Sequence, residues 1–231
     1  MTLSEAIAAR HSVRRYTPQP LSASDIERLT AEINTINADT GLLHLQLVTD
    51  EPRAFSGSLL TYGKFSGVRN YIVVAGRRAP DLDLKAGYYG ERMVLLAQTM
   101  GLNTCWVGLT YRKIKGAFTL RPDEKVVALI ALGHGETQGQ SHRIKTATQV
   151  SNISQSTPDW FNRGVEAALL APTAINQQKF HFEYIAPDNP GAIPQVKATK
   201  SFSFAGYTDV DLGIARLHFE IGAAPARFQW E

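Results

Sequence analysis

The chain has 231 residues, 44% of them hydrophobic, and a formal net charge of +3. That length fits one large domain or two small ones with a real core. Its mild charge, with Lys and Arg scattered among nearly as many acids, argues against a nucleic-acid-binding surface. The single cysteine, Cys105, rules out an internal disulfide and a cysteine-based zinc cluster, and the six histidines show no metal-binding spacing. Cys105 lies in the apolar run Cys105-Trp106-Val107, which suits a buried, inert thiol. The first ten residues lack the apolar stretch of a signal peptide, and no segment approaches a membrane span. A soluble, cytoplasmic protein is the expectation.

In chain order, Ser4 is placed to cap a short helix through Arg10, and Pro18 and Pro20 then force extended backbone. Ser24-Asp25-Ile26-Glu27 matches a capping box that opens a helix to about Asn37. Residues 43–49 alternate like a half-buried strand, and 71–75 read as a fully buried one. A long helix follows over 82–100, stopped by Gly101. Its run Met93-Val94-Leu95-Leu96-Ala97 is apolar on nearly every side, which predicts a helix buried at the centre of the protein. Further strands are predicted at 104–107, 125–132 and 179–185, and further helices at 159–170 and 209–223. The polar stretch 133–156 reads as a linker between an N-terminal part, 1–150, and a shorter C-terminal part, 151–231.

Two passages look like worn copies. His44-Leu45-Gln46-Leu47-Val48 and His181-Phe182-Glu183-Tyr184-Ile185 each follow a helix. Asp83-x-x-x-Gly87 and Asp209-x-x-x-Gly213 each open an apolar one. The order helix, strand, apolar helix is kept, as an old internal duplication would leave it.

Several familiar motifs fail. Gly133-His134-Gly135 follows a strand, but the third glycine of a dinucleotide fingerprint is missing because position 138 is Gln. The segment 57–64 has one residue too many for a phosphate-binding loop, and Phe65 stands where Ser or Thr would meet magnesium. No Gly-x-Ser-x-Gly elbow exists. Two clusters remain. Arg10 and Arg14 carry forked donors matched to phosphate oxygens, with Ser12 as a neutral donor between them. Ala171 to Gln178 breaks a hydrophobic helix with Pro172 and then offers amides and carboxamides before a strand. Taken singly, the first also fits a solvated basic turn, and the second a polar helix-to-strand connection.

In combination they resemble the flavin-dependent nitroreductase family. Ala6-Ile7-x-x-Arg10-His11-Ser12-Val13-Arg14-x-Tyr16 looks like that family's FMN-phosphate motif, and Ala171-Pro172-Thr173-Ala174-Ile175-Asn176-Gln177-Gln178 looks like its second flavin motif. Gly101 to Gly108 resembles the stretch along one flavin face, and Arg143 matches a late basic phosphate contact. In relatives the second motif follows the first long helix; here that place holds Asn34 to Asp39, which does not match it. Thr173, Lys179 and Phe180 replace the family's Ser, Pro and Trp, and Val107 stands where a glutamate is common.

The resemblance therefore implies an α+β fold with a mixed sheet flanked by helices around a buried central helix, as a pseudo-dimer within one chain. It implies one FMN site per chain. Arg10, His11, Ser12, Arg14 and Arg143 would hold the phosphate and ribityl tail. Val107, Gly108 and Leu109 would lie beneath the ring, and Pro172, Thr173, Ala174 and Asn176 would meet it from the other half. It also implies a ping-pong oxidoreductase that passes hydride from NAD(P)H to a small-molecule acceptor such as a nitroaromatic or quinone, with no acid–base side chain of its own. A flavin carrier or sensor without turnover is the alternative. A monomer or a further homodimer of fused chains is compatible with it.

Overall fold

A computed structural model describes residues 1–56, 65–187, 189 and 191–231. The rejected phosphate-loop segment 57–64 lies outside the described residues. The N-terminal helix α1, Leu3–Ala9, opens on a capping box between Thr2 and Glu5, and α2, Ala23–Thr40, opens on one between Ser22 and Asp25. Both boxes lie two residues ahead of the expected Ser4 and Ser24 caps. In each case an earlier hydroxyl is followed, three residues on, by an acid that reaches back to the cap amide. The first sheet then assembles from β1 (Gln46–Val48), β2 (Asn70–Arg77), β3 (Asn103–Val107) and β4 (Glu124–Gly133) in the order β1-β2-β4-β3, all pairs antiparallel. β2 is buried on both faces: Ile72 and Val74 join one core, while Tyr71, Val73 and Ala75 join the other.

Between β2 and β3 runs α3, Leu82–Thr99, followed by Gly101 at φ +77° as expected of a helix-ending glycine. Ala86, Gly90, Glu91, Met93, Val94, Leu95 and Ala97 of this helix are all buried. After β4 come α4 (Ala147–Val150), α5 (Asp159–Leu169), β5 (Phe180–Ile185), β6 (Gln195–Lys200), α6 (Thr208–Ala223) and β7 (Gln229–Trp230). Here β5 and β6 pair antiparallel and β7 joins β6 in parallel, so the fold has a second, three-stranded sheet where one mixed sheet was expected. Strand β7, the one-turn α4 and two short 3-10 turns escape the periodicity because each is too short to show a repeat, and β6, as long as β5, escapes it because Val196 is its one buried residue in a polar run.

Helix α3 packs on β2, β3 and β4, α6 packs on β5 and β6, and the two helices pack on each other. The contact between them is close. A Cβ on Gly87 would lie 2.0 Å from the Val210 carbonyl oxygen, and one on Gly213 would lie 2.0 Å from that of Leu84. The polar stretch 133–156 is pinned on both sides rather than hanging free. Asn103 Nδ2 donates to Gln138 Oε1 at 3.0 Å, and Asn152 exchanges side-chain hydrogen bonds with the Tyr184 backbone.

Candidate functional site

After α1 the backbone turns extended at Arg10, and Val13 N–H donates to Thr104 O at 3.0 Å, so the arginine segment lies alongside β3. Val13 and Tyr16 are buried, with Tyr16 Oη donating to Val13 O at 2.7 Å, while Arg14 and Arg15 stay exposed. On the other side, α5 ends at Leu170 and Pro172 forbids its continuation. The chain then makes a tight 3-10 turn, Ala174–Asn176, in which Ile175, Asn176 and later Gln178 hold positive φ angles of 47°, 58° and 45°. Non-glycine residues rarely adopt such angles, and their clustering marks a segment held in place by its surroundings.

The two segments face each other across a cavity of about 780 Å³. This is within the ordinary range for small-molecule sites. Arg10, His11, Ser12, Arg14, Val107, Gly108, Leu109, Pro172, Thr173, Ala174 and Asn176 all line it: eleven of the twelve residues expected at a site. Tyr207, Val210, Asp211 and Ile214, at the start of α6, complete the cavity's wall.

Arg143 is the residue left out. Its side chain is exposed, and its backbone carbonyl accepts from Asn176 Nδ2 and from Gln178 Nε2, both at 2.8 Å. It therefore braces the turn from behind.

The lining residues divide by what they have free. Among the described residues, the Arg14 guanidinium has no ion pair or hydrogen bond. Arg10 is only 3% exposed: its Nη2 donates to Leu170 O at 3.4 Å and its Nε lies 3.7 Å from Glu91 Oε1 without a hydrogen bond. Burial lowers the pKa of this guanidinium, and Glu91 pulls it back up. Glu91 is itself fully buried, accepting from Trp106 Nε1 at 2.7 Å and meeting His218 Nε2 at 3.0 Å. His11 is half-buried, and its pKa is lowered by burial and by Arg10, which favours the neutral ring.

On the opposite wall the polar groups are largely spent. Ala174 N–H donates to Asp211 Oδ1 at 2.9 Å, and Thr173 Oγ1 accepts from Gln178 N at 3.1 Å. The Asn176 carboxamide donates to Arg143 O and accepts from Gln178 Nε2, which leaves one amide hydrogen and one oxygen lone pair unspent. Gly108 has a packing reason to be glycine. A Cβ there would meet the Tyr207 ring at 2.6 Å, so the missing side chain admits a tyrosine. Asp211, Tyr207 and His142 on this wall, and Glu91 buried behind Arg10, were not anticipated. Only Asp211 had a visible signal, as an acid in the first turn of an apolar helix.

The sequence matches the family described as "Putative TM nitroreductase" over residues 2–223. No curated protein matches it. Two solved structures, each described as a "putative nitroreductase", are similar to it. The one from Thermotoga maritima has 24% identity and a TM-score of 0.63, covering 95% of this chain and 82% of the other. The one from Desulfovibrio desulfuricans, in complex with FMN, has 23% identity and a TM-score of 0.52, covering 68% of this chain and 99% of the other. A third, from Bacteroides thetaiotaomicron, is described as a "Putative NADH dehydrogenase/NAD(P)H nitroreductase", with 18% identity, a TM-score of 0.52 and coverage of 64% and 95%. These likenesses show a shared fold, and the family match spans nearly the whole chain. By that match the chain belongs to this nitroreductase family.

Proposed function

We propose that the chain is an FMN-dependent NAD(P)H oxidoreductase of nitroreductase type, with one flavin site built from both parts of a fused pseudo-dimer. The observation that carries this is the meeting, in one cavity, of eleven residues drawn from three segments, 10–14, 107–109 and 172–176. The residues fit the cofactor. Arg14 offers a guanidinium unpaired among the described residues, Ser12 a neutral donor, and Arg10 a buried guanidinium backed by Glu91, all on the cavity wall as a phosphate would need. Val107, Gly108 and Ile214 give the other wall the apolar character a flat ring needs.

Bound there, FMN would supply hydride-transfer chemistry between NAD(P)H and a nitroaromatic, quinone or similar acceptor, in ping-pong order. The protein's share is binding and orientation. Arg14 and Ser12 anchor, the Pro172–Asn176 turn closes the far side, and the apolar wall excludes water. The helix pair supports the pseudo-dimer reading. Gly87 meets the carbonyl three residues ahead of Gly213, and Gly213 meets the one three residues ahead of Gly87, which is the reciprocal contact of a two-fold axis. The parts on either side of that axis are 1–150 and 151–231, the second supplying the partner-type segment. The chain is proposed to act as a monomer in the cytoplasm on small-molecule acceptors, away from nucleic acid and membrane. The described residues include no helix long and apolar enough to cross a bilayer.

The test is an absorbance spectrum of the purified protein followed by anaerobic titration. One FMN per chain, bleached by NADPH or NADH and recoloured by a quinone or nitroaromatic, is the expected result. Two flavins per chain would overturn the single-site architecture. Bound flavin that neither nucleotide bleaches would make the protein a carrier or sensor.

A further inference from the structure

We propose that Asp211 is the positioning residue of this site: its carboxylate, fixed in the first turn of α6, holds the Pro172–Gln177 turn in its strained shape against the cavity. The carboxylate makes two hydrogen bonds to that turn. Ala174 N–H donates to Oδ1 at 2.9 Å, and Gln177 Nε2 donates to Oδ2 at 2.6 Å. Gln177 Nε2 also donates to Gly206 O at 3.0 Å, so its amide nitrogen is committed and its Oε1 is left buried without a partner. That is the orientation a side chain takes when acceptors, rather than donors, surround its nitrogen. Ile175, Asn176 and Gln178 keep positive φ in the same stretch, and such angles persist only where neighbours over-determine them.

Asp211 is 3% exposed and has no cationic partner among the described residues. The titratable groups that share the cavity wall are Arg10, His11, Arg14, Arg15, Cys105, His142 and Tyr207, and none has a side chain bonded to its carboxylate. The nearby acids Asp83 of α3 and Asp209 of α6 are paired with Lys125 and Lys200. Burial pushes the Asp211 carboxyl up to about 6, against the pull of its two donors. The sign follows by linkage. The folded chain holds this proton more tightly than the unfolded one, so Asp211 adds stability as pH falls from about 6 toward its ordinary value and adds none above it. At neutral pH the charge is thus carried against the fold's own preference, as expected of a group kept for the site.

The proposal rests on the FMN reading only through one arm of its test. Asp211→Asn keeps the shape, removes the charge and leaves one acceptor oxygen for the two donors. At pH 7.5 it is expected to weaken FMN binding, read by flavin fluorescence, by about tenfold or more, the worth of a charge-assisted bond. Its melting temperature at pH 7.5 stays equal to or above that of the wild type, and the difference shifts toward the wild type at pH 5. In the FMN-free protein, amide exchange across residues 171–178 rises at pH 7.5. Unchanged exchange there overturns the proposal, as does an FMN affinity that falls only in step with melting temperature. A wild type that binds no FMN sinks the cofactor reading, and the exchange arm still judges Asp211. Should Asp211→Asn fail to fold, Gln177→Ala removes one of the two bonds from the other side and is expected to raise exchange in the same segment.

Discussion

Arg10 Nη2 donates to the carbonyl oxygen of Leu170, 160 residues further along the chain. Leu170 ends α5, so a first-half arginine caps the helix that delivers the second-half turn to the cavity. The same guanidinium sits 3.7 Å from the fully buried Glu91. Arg10→Ala leaves that carboxylate with His218 and Trp106 alone. The expected loss of stability is about 3–5 kcal/mol, the usual cost of breaking a buried pair from one side, read by denaturant unfolding.

Arg14 provides the contrast. It is exposed and unpaired among the described residues, so Arg14→Ala is expected to change stability by less than about 0.5 kcal/mol. Its effect belongs to the ligand. FMN affinity should fall about tenfold to a hundredfold, the range for a charge-assisted bond to phosphate. Equal retention of FMN by the variant and the wild type would remove Arg14 from the phosphate assignment.

The contrast between these two arginines shows where sequence reading stops. Both stand in one motif, and spacing alone treats them alike. What separates them is that Arg10 caps the end of α1 and has Glu91, 81 residues further along, at its back, while Arg14 lies beyond the turn with no such partner among the described residues. Ala174 and Asn176 teach the same lesson. The motif identifies them as polar contacts, yet Asp211, Arg143 and Gln178 already take up much of their hydrogen-bonding capacity. The long elements were legible because α3, β2 and β4 carry enough residues to show a repeat, and because Gly101 ends its helix by a local rule. The second sheet was hidden in part because β7 has only two residues and joins β6 through a register no local pattern encodes.

Gly87 and Gly213 set the distance between α3 and α6. In a helix interior, Gly→Ala normally adds up to about 1 kcal/mol of stability by propensity. Here the added Cβ would lie 2.0 Å from a backbone carbonyl oxygen at either site, and backbone cannot swing aside. Each single substitution is therefore expected to destabilise, by about 1–3 kcal/mol or more. Either one parts the same two helices, so the double variant should cost less than the sum of the singles. Calorimetry of the three variants measures this, and strict additivity would mean that the two contacts are independent.

Gly108 and Tyr207 form a second close contact, this time with a side chain that can move. Tyr207 begins α6 with a φ of 60°, an angle that costs a non-glycine residue about 1–3 kcal/mol and throws its ring onto Gly108. A Cβ at position 108 would meet that ring's Cζ at 2.6 Å and its hydroxyl at 2.7 Å. Because Tyr207 is only half-buried, its ring can turn outward, and Gly108→Ala is expected to lower stability by less than about 1 kcal/mol. The cavity wall changes all the same, so FMN affinity should drop. In a Tyr207→Ala background the obstruction is gone, and the further Gly108→Ala change should then leave both affinity and stability nearly untouched. A double-variant cycle in FMN affinity measures that coupling. A loss that persists undiminished without the tyrosine would show that position 108 must be glycine for the ligand's sake, rather than for its neighbour's.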